Sequence, residues 1–256
     1  MSANHPNIFS VKDKVIAVTG GSSGLGHHMV HTLAAHGAKV VSIARSHPVT
    51  SCADCETVKP DILHICADVA DSADIAAAFD EAEKHFGTVS VVFNNAGIAC
   101  KASALKTTAE MMEQVFAVNV VGAFNVAQEA ARRMIEAKIA GAIINTTSIL
   151  KNMPQKGAVA YSMSKAALAQ MTRALALEWA AHNIRVNAIA PGWFPTGINQ
   201  ELMTGPASNY LKAKNPMRRL GENGDLEGAL LLLASNAGGY MTGTTITVDG
   251  GHSLQG

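Results

Sequence analysis

The sequence predicts one α/β domain built on a doubly wound parallel sheet of about seven strands with helices on both faces. Three observations carry that prediction. Short β-branched runs alternate with longer helical patterns from end to end. The first run breaks into a cluster of glycines that opens a helix. The length, 256 residues, suits one such domain and leaves little room for a second, so residues 1–256 are read as a single unit.

Residues 15–19 form the first strand. Gly20, Gly21, Ser22, Ser23, Gly24, Leu25 and Gly26 make a turn, and 27–36 the first helix. Apolar strands follow at 39–44 and 62–66, then an alanine-rich helix over 72–86 and a fourth strand at 89–93. Long helical patterns over 108–138 and 160–182 flank a strand at 142–147, and another strand follows at 184–189. A helix over 221–234 and a strand at 244–248 close the pattern at Asp249-Gly250-Gly251. Strands joined through helices need crossovers, which place helices on both faces of a parallel sheet.

Two segments resist the alternation. Residues 46–60 carry Pro48 and Pro60, so any helix there is short or irregular. Residues 191–216 hold four prolines and three glycines among large side chains, the composition of a long loop over a binding site.

Composition excludes several classes. Twenty basic residues balance twenty acidic ones, so no bulk field draws the chain to nucleic acid. No segment offers the ~18 uninterrupted apolar residues of a membrane span, nor the N-terminus a signal-like run, and a cytoplasmic protein is expected. The cysteines are Cys52, Cys55, Cys66 and Cys100. One C-x-x-C without a second pair, and His27 with His31 on one helix face, fall short of a metal site, so no metal is expected.

In an open parallel sheet, ligands bind beyond the carboxyl ends of the strands, where a glycine turn and a helix N-terminus face a pyrophosphate. The turn from Gly20 to Gly26 lies at such an end, although its spacing is G-x3-G-x-G. The second strand ends in Ala44 and Arg45 rather than in an acid that would hold the ribose of NAD. A guanidinium there clamps a 2′-phosphate, so NADP(H) is preferred and NAD(H) remains possible. Asp68, followed by Val69, is placed after the third strand to accept from the adenine amino group. Tyr161 and Lys165 lie one helical turn apart, where an ammonium can lower a phenol's pKa toward working pH. Ser148, at a strand end, can donate to a substrate oxygen. Taken singly, an ordinary helix face or cap explains each of these residues as well.

From about Lys12 to Gly251 the chain resembles the short-chain dehydrogenase/reductase family of the 250-residue type, with its Rossmann-like fold. The family's T-G-x3-G-x-G corresponds to residues 19–26 and its N-N-A-G to Asn94-Asn95-Ala96-Gly97. Asn119, Ser148 and the Y-x3-K of Tyr161 and Lys165 follow in family order, then Pro191-Gly192 with Thr196 beyond. The resemblance implies hydride transfer between a nicotinamide and a small-molecule carbonyl or alcohol. Tyr161 is then the acid/base, Ser148 the holder of the substrate oxygen, and Lys165 the group that tunes Tyr161 and binds the nicotinamide ribose. Asn119 positions a water linking Lys165 to solvent. Asn95, Ala96 and Gly97 pack on the adenosine side, while Phe194 and Thr196 meet the carboxamide. A homotetramer is expected by the same analogy.

Leu150, Met153, Gln155, Trp193 and Phe194 are the expected substrate wall, mixed enough for a medium-sized sugar acid, 3-oxoacyl thioester or ring ketone. A 3-oxoacyl-[acyl-carrier-protein] reductase is the nearest alternative, although Lys138 and His182 make a thin patch for an acidic carrier. A non-catalytic dinucleotide sensor is the alternative of another class.

Overall fold

The computed structural model describes residues 7–46, 61–195 and 205–255. Seven strands form one sheet: β1 (Val15–Thr19), β2 (Lys39–Ala44), β3 (Ile62–Cys66), β4 (Val91–Asn94), β5 (Gly141–Thr146), β6 (Ile184–Pro191) and β7 (Thr245–Val248). Their order is β3-β2-β1-β4-β5-β6-β7 and every pairing is parallel. Among the described residues β7 is an outer strand that pairs only with β6.

Because side chains alternate along a strand, each central strand feeds two cores. Val15 and Ala17 join Val41, Val92, Ile143 and Val186 on one face. The helices over that face are α2 (Ser72–Phe86), α4 (Ala123–Glu136) and α5 (Val159–Trp179). Ile16 and Val18 join Val40, Phe93, Ile144 and Ile189 on the other, under α1 (Gly24–Ala35) and α7 (Glu227–Ala234). Arg133 of α4 ties two helices of the first face together. Its guanidinium bonds Asp80 and Glu83 of α2 at 2.8 and 2.7 Å and Glu129 of its own helix at 2.7 Å.

Two elements differ in kind from the sequence expectation, while the helix expected over 221–234 shortens to Glu227–Ala234 behind a 3-10 turn at Asn223–Leu226. The helix expected over 108–138 is α3 (Ala109–Phe116), a π-helical turn Ala117–Gly122, and then α4. Val118, Val120 and Val121 are poor helix formers that crowd a regular turn. The segment expected to be a loop over 191–216 contains a helix, α6 (Gly205–Lys214). Pro206 does not prevent it, because the first turn of a helix needs no partner for the missing N–H.

Candidate active site

The order in which strands are added reverses between β1 and β4, so a crevice opens there at the carboxyl ends of the parallel strands. Thr19 closes its floor. The hydroxyl accepts from the backbone N–H groups of Asn95 and Ala96, both at 3.0 Å, and the Thr19 carbonyl accepts from Asn95 Nδ2 at 3.1 Å. The glycine turn is thereby strapped to the loop after β4. Gly20 has φ +68°, and a Cβ there would lie 2.9 Å from Ala96 Cα. At Gly26 a Cβ would lie 2.2 Å from the Gly20 carbonyl oxygen, so only glycine lets α1 begin this close to the turn. Ser23 is the N-cap residue of α1, yet its side chain makes no capping bond.

The crevice has a volume of about 430 Å³. Gly20, Ser22, Ser23, Gly24 and Leu25 line it together with Arg45, Asp68, Val69, Asn95 and Ala96, and with Gly97, which lies beside Lys165 rather than away from it. Tyr161, Lys165, Pro191, Gly192 and Phe194 line it as well. Arg45 is exposed and forms no salt bridge among the described residues. One oxygen of Asp68 accepts from Ala70 N at 3.0 Å. Gly26 sits behind the turn rather than on the wall.

β5 and α5 set the reacting end. Ser148 caps the short turn after β5 by accepting from Leu150 N at 3.1 Å, and its hydroxyl also hydrogen-bonds Tyr161. Lys165, 3% exposed, donates to the Thr146 carbonyl at 2.7 Å and lies 5.5 Å from the centroid of the Tyr161 ring. Burial pushes Tyr161 up to about 12, with Ser148 pulling the other way, and pushes Lys165 down to about 8. In the chain alone desolvation dominates both groups, a direction opposite to the lowered phenol pKa expected from the sequence. Asn119, in the π-helical turn, accepts from Ile98 N at 2.8 Å and donates to Ile98 O at 2.9 Å and to Ser164 Oγ at 3.0 Å. It stands behind Gly97, whose Cβ would lie 3.3 Å from Asn119 Oδ1 and 3.5 Å from Lys165 Nζ.

Residues 20–253 match the family model described as "Enoyl-(Acyl carrier protein) reductase". The chain is 38% identical over 256 residues to galactitol 2-dehydrogenase (L-tagatose-forming) of Cereibacter sphaeroides, covering 98% of this chain and 99% of the relative. The chain belongs to the short-chain dehydrogenase/reductase family. The 2-dehydro-3-deoxy-D-gluconate 5-dehydrogenase of Dickeya dadantii is 36% identical, over 96% of this chain and 97% of its own. A crystal structure of gluconate 5-dehydrogenase from Burkholderia cenocepacia, in complex with NADP and tartrate, superposes with a TM-score of 0.91 at 31% identity, covering 97% of this chain and 98% of that one.

Several residues expected in this dehydrogenase/reductase lie elsewhere or beyond description. Thr196 is outside the described residues, as are Cys52 and Cys55. Leu150 and Met153 are half-buried on and just after the turn that follows β5, outside the crevice lining. Trp193 also lies off the crevice, lining a second cavity of about 150 Å³ against the C-terminal turn. Sequence reasoning missed Thr146, Ser164 and His252, which hold Lys165, Asn119 and Trp193 respectively. Nothing in local spacing marks them, because each acts across at least 19 residues of chain. Among the described residues no group of three or more His, Cys, Asp or Glu could hold a metal ion, and no helix is long and apolar enough to cross a membrane.

Proposed function

We propose that this chain is an NADP(H)-dependent oxidoreductase that transfers hydride between the nicotinamide and a medium-sized ketone or secondary alcohol. The carrying observation is Tyr161 and buried Lys165 in the lining of a crevice that also presents Arg45, with Ser148 just off that lining and hydrogen-bonded to Tyr161. A guanidinium after Ala44, in place of a carboxylate, supports the 2′-phosphate of NADP, and so does the NADP in the solved relative. The unused Ser23 side chain and the first-turn amides of α1 suit a pyrophosphate. Relatives named for a polyol and for sugar acids favour a polyhydroxylated substrate.

When bound, the nicotinamide supplies or takes the hydride. In the reducing direction Tyr161 donates its proton to the carbonyl oxygen, which Ser148 holds by a second hydrogen bond; in oxidation Tyr161 takes the proton back. Lys165 binds the nicotinamide ribose, and its charge favours the phenolate once the proton has left. Asn119 orders the water that links Lys165 to solvent. Asp68 and Val69 would hold the adenine, Asn95 to Gly97 would pack on the adenosine side, and Phe194 would meet the carboxamide, the part expected of Thr196 falling outside the described residues.

NADPH consumption against a panel of ketoses, keto-acids and a 3-oxoacyl thioester tests this reading. Tyr161→Phe is expected to lower kcat by about 10²–10⁴-fold while leaving NADPH affinity within a few-fold. A protein that binds NADPH, turns over nothing on the panel and is indifferent to Tyr161→Phe is the sensor instead. Preference for the thioester selects the acyl reductase.

A further inference from the structure

Trp193 follows the end of β6, between crevice residues Gly192 and Phe194, yet it lines the second cavity. Its indole Nε1–H donates to His252 Nε2 at 3.1 Å, with the rings edge to face at 82°. His252 is 5% exposed and rigidly presented. The turn before it uses two left-handed glycines, Gly250 and Gly251. Asp249 fixes that turn by accepting from Gly251 N at 2.9 Å and Ser253 N at 2.8 Å. Asn215, beyond α6, donates to the Asp249 carbonyl at 2.8 Å. On the other side, the Phe194 ring lies where a Cβ on Gly221 would be 2.6 Å away, and Gly221 N donates to the Trp193 carbonyl at 2.9 Å. The peptide is therefore anchored by backbone on both sides, while among the described residues the indole N–H is held by His252.

The geometry points to His252 as a positioning residue that parks the Trp193 indole against the C-terminal turn, outside the crevice, and so keeps the substrate end open. This rests on the function proposed above. An indole N–H only donates, so the bond requires neutral His252 with its proton on Nδ1. Among the described residues that Nδ1 is buried without a hydrogen-bond partner. Protonation makes both ring nitrogens donors, and the indole loses its acceptor. The charged groups facing the ring are Asp249 on its own turn and Lys214 at the end of α6, with the Arg219–Asp225 pair across the cavity. Burial holds His252 below the usual histidine range, with Asp249 opposing and Lys214 assisting, so the bond persists at neutral pH and fails only in acid.

Trp193 can be watched alone in a Trp179→Phe background, since the chain has two tryptophans. In that protein the Trp193 emission is expected to change as pH falls through the His252 titration, and His252→Phe to remove the change. In the same background His252→Phe is expected to raise KM for the carbonyl substrate about tenfold, with kcat within a few-fold, as for a lost buried hydrogen bond. His252→Gln, which keeps an acceptor, is expected to restore KM and to leave emission independent of pH. Emission and KM in His252→Phe that match the parent overturn the proposal, as does a His252→Gln variant no better than His252→Phe. If no substrate is turned over by the parent, the catalytic reading fails, and the emission titration still decides whether His252 holds Trp193.

Discussion

Lys165 is a buried cation whose only described hydrogen-bond acceptor is a carbonyl, and its stability signature follows from that. Below pH 8 it is charged in both folded and unfolded chains, and its burial is a standing cost. Between about 8 and its usual 10.5 the unfolded chain binds more protons than the folded one, so stability rises with pH, by on the order of 3 kcal/mol in full. Tyr161 has the opposite sign in a higher window, losing stability as pH climbs from 10 to about 12. Urea unfolding across this range is expected to show the rise in wild type and to lose it in Lys165→Met. At the adenosine end, Arg45→Ala is expected to weaken NADPH binding about 10–100-fold and leave NADH nearly unchanged, read by titration of both cofactors. Equal losses sink the 2′-phosphate assignment. Tyr161 and Lys165 were legible because helical spacing is local. The carbonyl of Thr146 was not, since any residue provides one and only the fold brings it near.

Among the elements, the π-helical turn matters most to the site. Asn119 satisfies both backbone groups of Ile98 from this turn, bracing the loop that carries Gly97. Asn119→Ala leaves those groups without their partners and is expected to cost about 2–4 kcal/mol, measured by urea unfolding at neutral pH. A cost below about 0.5 kcal/mol means that water replaces the side chain fully. The valines of this turn could have warned against an unbroken helix over 108–138, but apolar periodicity outweighed them. Likewise Pro206 read as a loop residue because its place in a first turn is visible only once the helix start is known. Strand positions were far more legible. Parallel strands covered on both faces are continuous apolar runs, and five of the seven kept their expected bounds to within one residue at each end.

For the whole molecule, alternation of strand and helix was enough to predict the parallel sheet. Strand order was not in the pattern, since local periodicity says nothing about which strands become neighbours. The proposed homotetramer belongs to this scale as well. Val121, Phe124, Val159, Met163 and Leu177 stand exposed on the π-helical turn, α4 and α5, an apolar set that a single chain leaves to solvent. Light scattering is expected to give about four times the 26.6 kDa chain mass, and Phe124→Glu with Met163→Glu to lower it. β7 adds a consequence for handling the protein. Among the described residues its outer side faces no strand, so an isolated chain offers a ready template for strand addition by a second copy. Dissociating variants should accordingly be purified dilute and cold, with turbidity rather than lost activity as the first sign of failure.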